Sequence, residues 1–247
     1  MNDLFYSSIG RYYDQIFPYN PEKKKFTKSF LEKPEDSIIL DIGCGTGDLS
    51  LDLAKDGNSV YAIDADQEMI KQAIRKKMPL ELDEYPVFRD FNMKRIAYFF
   101  DKGKYDAITC YGNTLVHLKD KEEISGFLKS CIEVLRTGGH LMIQILNYEY
   151  ILKKNISELP VIDNEKVRFE RYYESTETEH LDFVTRLTIK TDQSILKNRI
   201  ALFPLTKEHL KVLLTDAGFS DIKFYGGFNK AAFKEDGLPL LVEAIKQ

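Results

Sequence analysis

From Ile38 to Asp48 the chain reads Ile-Ile-Leu-Asp-Ile-Gly-Cys-Gly-Thr-Gly-Asp. An apolar run carrying an acid, Asp41, leads into three alternate glycines, Gly43, Gly45 and Gly47. Glycine turns sharply and has no Cβ, so such a loop can bring backbone into contact with a ligand. A dinucleotide loop spaced G-x-G-x-x-G would need a glycine at position 48, where Asp48 stands. Asp64 ends the next apolar run, Val60 to Ile63. A carboxylate there can accept both hydroxyls of a ribose, each bond worth roughly 1.5–3 kcal/mol. Dinucleotide sites use the same device, so Asp64 alone selects a nucleoside and not a particular cofactor. Asp66 is the better helix cap. Asp90 follows a third short apolar run, and Ala65, Phe91 and Asn92 flank these acids.

Two further segments hold candidate chemistry. Tyr111-Gly112-Asn113-Thr114-Leu115-Val116-His117 follows a fourth apolar run, and an aromatic stretch from Phe5 to Asp14 contains Tyr6, Arg11 and Tyr13. Cys44, Cys110 and Cys131 form no close pair, so neither a metal knuckle nor a redox motif is expected.

The arrangement from Asp41 to Gly47 resembles motif I of the class I S-adenosylmethionine methyltransferases. The resemblance implies that Gly43, Cys44, Gly45, Thr46 and Gly47 pack around the nucleoside and methionine parts of S-adenosylmethionine. It implies Asp64 at the ribose, Met69 against the adenine and Asp90 at the adenine amino group. The stretch after Cys110 is similar to that of glycine N-methyltransferases and sugar-amine N,N-dimethyltransferases. It places Tyr111, Asn113 and His117 near the sulfonium, with Tyr111 and His117 as catalytic candidates. In similar small-molecule enzymes the N-terminal segment covers the cofactor, which makes Tyr13 a cofactor contact and Tyr6 and Arg11 substrate contacts. One departure stands out. Leu146 to Leu152 looks like a stretch of glycine N-methyltransferase, but the arginine that reads the substrate carboxylate there has no counterpart, so glycine is not implied as acceptor.

These residues must be positioned by alternating elements. Strands are expected at 37–42, 58–63, 85–88, 105–110 and 140–146. Helices are expected between them, including 66–77 and a long one from 118 to 135 stopped by Gly138-Gly139. Alternation of this kind gives a doubly wound, mostly parallel α/β sheet, with ligands bound beyond the carboxyl ends of the strands. The resemblance implies seven strands in a Rossmann-like methyltransferase fold. Near residue 160 the period changes to two: Leu181, Phe183, Thr185, Leu187 and Ile189 alternate with polar residues. Three antiparallel strands are expected at 166–174, 180–190 and 194–203. The reading is therefore a cofactor domain of residues 1–160 and 204–247 with an antiparallel β lid of residues 161–203. Arg168, Arg171, Tyr172 and Arg186 on that lid are the candidate readers of the acceptor.

Composition narrows the partners. The 247 residues are 43% hydrophobic and 30% charged, with net charge −4, which disfavours a polyanion-binding protein. The basic runs Lys23-Lys24-Lys25 and Arg75-Lys76-Lys77 are read as solvated faces. No membrane span or signal segment is apparent, so cytoplasmic residence is expected. The expected partner is a small-molecule methyl acceptor, probed first for an amine nitrogen, and an exposed lid edge suggests a homodimer. Two rival readings stand beside the methyltransferase: an NAD-type oxidoreductase, which Asp48 opposes, and a module that binds S-adenosylmethionine without catalysis.

Overall fold

The computed structural model describes residues 9–80, 82 and 84–247; Tyr6 lies outside them. The strands are β1 (Ile38–Ile42), β2 (Ser59–Asp64), β3 (Val87–Asp90), β4 (Tyr105–Cys110), β5 (Leu135–Leu146), β6 (Glu158–Asp163), β7 (Val167–Ser175), β8 (Leu181–Ile189), β9 (Ile195–Leu202), β10 (Phe219–Tyr225) and β11 (Pro239–Lys246). The helices are α1 (Tyr13–Ile16), α2 (Glu22–Lys28), α3 (Asp48–Lys55), α4 (Gln67–Lys77), α5 (Ile96–Phe99), α6 (Lys121–Val134), α7 (Tyr148–Lys153) and α8 (Lys207–Ala217).

Seven strands form one sheet in the order β10-β11-β5-β4-β1-β2-β3. β1 to β5 are parallel neighbours, and β11 runs antiparallel between β5 and β10. β1 and β4 are central and almost wholly buried, as strands covered on both faces must be. The order reverses at β1 and β4, so the loops after β1 and β4 part at the rim and leave a crevice there. Side chains from α6, namely Ile124, Phe127, Leu128, Cys131 and Val134, are fully buried against the sheet. Each such residue contributes roughly 1.5–3 kcal/mol of burial.

Two expectations need correction. The long helix does not reach Gly138-Gly139: it ends at Val134, and β5 begins at Leu135. The pair instead occupies a bulge, where pairing shifts from Tyr105↔Leu135 to Ala107↔His140. A Cβ at Gly139 would lie 2.8 Å from the Arg136 carbonyl oxygen, so the bulge requires glycine there. The lid has four strands in the order β6-β7-β8-β9, one more than expected, and starts at Glu158. The additional strand contains Pro160, which argues against a central strand but is tolerated at the edge that β6 occupies.

Helix ends follow their caps. Asp66 accepts hydrogen bonds from the backbone N–H groups of Glu68 and Met69 at the start of α4. Thr206 caps α8, and Gly218 ends it in the left-handed region.

Candidate active site

The loop after β1 is built from backbone. Gly43, Gly45 and Gly47 all have positive φ, at 70°, 56° and 82°. Neighbours fill the space a side chain would need: Thr114 packs directly on Gly43, and a Cβ at Gly47 would sit 2.6 Å from the Phe88 ring. The N–H groups of Gly43 and Cys44 both donate to the Ile63 carbonyl, at 2.8 and 3.0 Å, which ties the loop to the end of β2. Asp41 lies beneath the loop. Its carboxylate accepts from Ser50 on α3 at 2.6 Å and from Thr109 on β4 at 2.7 Å. Burial raises its pKa against the lowering effect of those bonds. Asp41 therefore brackets three elements beneath the loop.

The first cavity, of about 200 Å³, opens on this loop. Asp64 reaches it from the end of β2, held by N–H donors from Gly45 and Asp66, each at 2.9 Å. Its carboxyl oxygens keep lone pairs for further donors. Burial, foremost, raises its pKa to about 6. Ala65, Met69, Phe91, Asn92 and Met93 continue the lining away from the loop. Asp90 does not: it is exposed at the strand end and lies outside the cavity. The chain turns inward one residue later, where the Phe91 N–H donates to the Asp64 carbonyl at 2.8 Å. Asn92, and not Asp90, borders the cavity at this end.

The N-terminal segment covers the cavity from above. Tyr13 on α1 lies over the loop, its ring 3.4 Å from the position a Gly45 Cβ would take. Burial and the nearby Asp64 push its phenol pKa up, so it stays protonated. A latch holds this cover down. Lys76 on α4 bonds Asp14 at 2.7 Å, Asp48 at 2.8 Å and the Thr46 hydroxyl at 2.9 Å, and Thr46 in turn donates to Asp14. Lys76 is therefore not part of a solvated face. Neither is Lys23, whose neighbours Lys24 and Lys25 pair with Asp52 and Glu22. Lys23 borders the cavity instead, near Asp41 and Asp48, and burial lowers its pKa. Arg11 is exposed and borders neither cavity, because Ile9 and Ile16 take the inward positions of this segment.

A second cavity, of about 390 Å³, adjoins the first beneath the lid. Tyr13, Phe17, Pro18, Lys23, Gly112 and His117 border both. His117 stands at the junction, and burial lowers its pKa to about 4, so its imidazole is neutral at physiological pH. The Tyr111 hydroxyl is not at the junction. It sits in the core, 3.0 Å from the Thr27 hydroxyl and 3.5 Å from the Met142 sulfur, because the ring packs among Phe26 and Phe228. Asn113 borders only the second cavity. Its amide is spent on the frame, donating to the Tyr148 hydroxyl and accepting from the Leu146 N–H, and its φ of 67° is the turn that makes this possible.

Strand alternation sorts the lid candidates. Phe169, Arg171 and Tyr173 of β7 face the second cavity. Arg168 and Tyr172 face away. Arg168 pairs with Asp163 and Glu170, and the Tyr172 hydroxyl donates to Glu170. Arg186 also reaches toward Glu170. Of the lid candidates, only Arg171 enters the site.

The first cavity fits S-adenosylmethionine in each part: Asp64 for ribose hydroxyls, Met69 and Phe91 for a flat base, a side-chain-free loop for close approach, and the Lys23 ammonium for a carboxylate. Residues 39–139 match the family described as methyltransferase domain. The chain is 27% identical over 202 residues to a glycine/sarcosine N-methyltransferase of Aphanothece halophytica, covering 80% of this chain and 72% of that protein. It is 33% identical over 126 residues to the glycine N-methyltransferase of Oryctolagus cuniculus, covering 46% of this chain and 42% of that one. Among solved structures, the CcbJ methyltransferase of Streptomyces caelestis superposes with a TM-score of 0.83 at 16% identity, covering 96% of both chains. Residues 39–139 thus carry a methyltransferase domain, and with its glycine loop, the acid at the end of β2 and its seven-stranded sheet the chain resembles class I S-adenosylmethionine-dependent methyltransferases, glycine N-methyltransferase among them.

Proposed function

We propose that this enzyme moves the methyl group of S-adenosylmethionine to an amine nitrogen of a small molecule seated in the second cavity. The observation that carries the reading is the shared wall: the donor cavity adjoins the cavity under the lid at Lys23, Gly112 and His117.

The bound cofactor supplies a methyl group on a sulfonium, already a good leaving group. What remains for the chain is positioning. Tyr13, Gly112 and His117 border the line between the two cavities, and holding two reactants in line accounts for roughly 7–11 kcal/mol of a barrier. The nitrogen assignment rests on what stands at the junction. A neutral amine presents its lone pair directly, whereas an alcohol requires a base. His117 has a pKa near 4 and is a weak proton acceptor. The Tyr111 hydroxyl is bonded into the core. An amine that arrives neutral needs neither of them before transfer. The lid and the N-terminal cover keep water from the sulfonium.

The test is methyl transfer from labelled S-adenosylmethionine to primary and secondary amines, each beside the matched alcohol or phenol. Label on amines supports the reading. Label on the oxygen acceptors alone overturns it. Cofactor binding with no transfer to any member of the panel favours a non-catalytic binding role.

A further inference from the structure

Resting on that reading, we propose that the methyl acceptor carries an anionic oxygen group, a carboxylate or phosphate, and that Arg171 of the lid binds it.

Arg171 borders the second cavity amid Leu159, Phe169, Tyr173 and Phe183. It has no acidic partner among the described residues. Its guanidinium makes one hydrogen bond there, from Nη2 to the Pro160 carbonyl oxygen at 2.6 Å. Its Nε is buried and has no partner. Directly across the strand pair, Thr185 presents a buried Oγ1 that is also without a partner. The other lid arginines differ: Arg168 and Arg199 each hold two carboxylates within 3.5 Å, and Arg186 has Glu170 at 3.9 Å. Arg171 is half-buried with its guanidinium carbon 5.9 Å from the Phe169 ring, a contact that leaves the cation without a counterion.

The cavity supplies no counterion of its own. Its described lining contains no aspartate or glutamate. The guanidinium is thus held at the cavity wall by its bond to Pro160, and its terminal nitrogens keep N–H donors for an oxygen anion. A ligand with such a group replaces the missing partner, and a neutral ligand leaves the deficit in place. Discrimination by an unpaired buried polar group is stronger than discrimination by shape.

The test uses the full chain saturated with S-adenosylhomocysteine and calorimetric titration. The probes are 4-aminobutanoate, 4-aminobenzoate and 2-aminoethyl phosphate, beside the methyl esters of the two acids and the parent alcohol of the phosphate. At least one anion is expected to bind tenfold or more tightly than its neutral counterpart. That advantage should fall to within twofold in R171M and return in part in R171K, with S-adenosylhomocysteine affinity unchanged within twofold in both. Preference for carboxylate or for phosphate then identifies the group. Equal binding of anions and neutral counterparts, failure of every anion to bind, or an advantage retained in R171M overturns the inference. Methylation of neutral amines without any preference for anions overturns it while leaving the amine reading intact. Anion preference with label found on oxygen does the reverse.

Discussion

The two cavities are made by different means. The donor side is mostly backbone and acid: glycines at positive φ, with Asp41, Asp48, Asp64 and Asp66 around them. The acceptor side is mostly apolar side chains, with cations and no acid in its described lining. A site shaped by backbone is fixed by the fold that bends the chain, and its ligand is correspondingly fixed. A site shaped by the inward face of an antiparallel insert changes with every second residue of that insert. On the proposed reading, the parallel sheet sets the reaction and the lid sets the acceptor.

The sharpest break of this contrast is at Asp64. D64A removes the acceptor for two ribose hydroxyls, and calorimetry should show S-adenosylhomocysteine affinity lower by about a hundredfold or more. Affinity within threefold of the unmodified protein would remove Asp64 from the ribose.

A second measurement uses proton binding. The Asp64 pKa stands at about 6. The ionised carboxylate is the form that accepts hydroxyl donors, so S-adenosylhomocysteine affinity should be flat above pH 7 and fall about tenfold per pH unit well below pH 6. Stability of the ligand-free protein has the opposite sign. A carboxyl whose folded pKa is raised contributes stability at low pH, and that contribution is lost as pH rises through 6. Affinity unchanged from pH 7 to 5 would place the raised pKa elsewhere.

The latch sharpens the contrast from the cover. K76A removes one cation from Asp14 and Asp48, and partial solvent exposure of the pair limits the effect. Stopped-flow dissociation of S-adenosylhomocysteine should quicken about three- to tenfold, while the ribose contact persists. An unchanged rate would mean that the cover is held without Lys76. The smallest effect is expected on the outer face of the lid. R168A should leave the acceptor KM within about twofold, because Arg168 faces Asp163 and Glu170 and not the cavity. A tenfold rise would reverse the strand orientation argued for β7.

Most of the donor side was legible in the sequence because its chemistry depends on contiguous residues. Gly43 to Thr46 and Asp64 line the cavity, whereas Gly47 lies outside the lining as the N-cap of α3. Asp90 shows the limit of that reasoning: its displacement from the cavity turns on one residue of strand end that spacing does not encode. Tyr111 shows another limit, since only the packing of Phe26 and Phe228 reveals that its hydroxyl points into the core. Lys23 and Lys76 were hidden in basic runs that look like solvated helix faces. Which lysine of a run turns inward is set by tertiary packing. On the lid, the alternation that separates Arg171 from Arg168 was present in the sequence, but which face was inward required the sheet to be placed over the rim. The strand β6 was concealed by Pro160.

The wall formed by Tyr13, Phe17 and Pro18 belongs to both cavities, and this ties the two ligands together thermodynamically. Any free energy that one ligand provides by ordering this segment is free energy the other need not provide, and the factor is the same in both directions. On the proposed reading, donor and acceptor affinities are expected to be linked quantities. Altering residues 13 to 18 to admit a different acceptor should change the grip on the donor, and so should altering Phe169, whose ring packs edge-on against Phe17 at 5.8 Å.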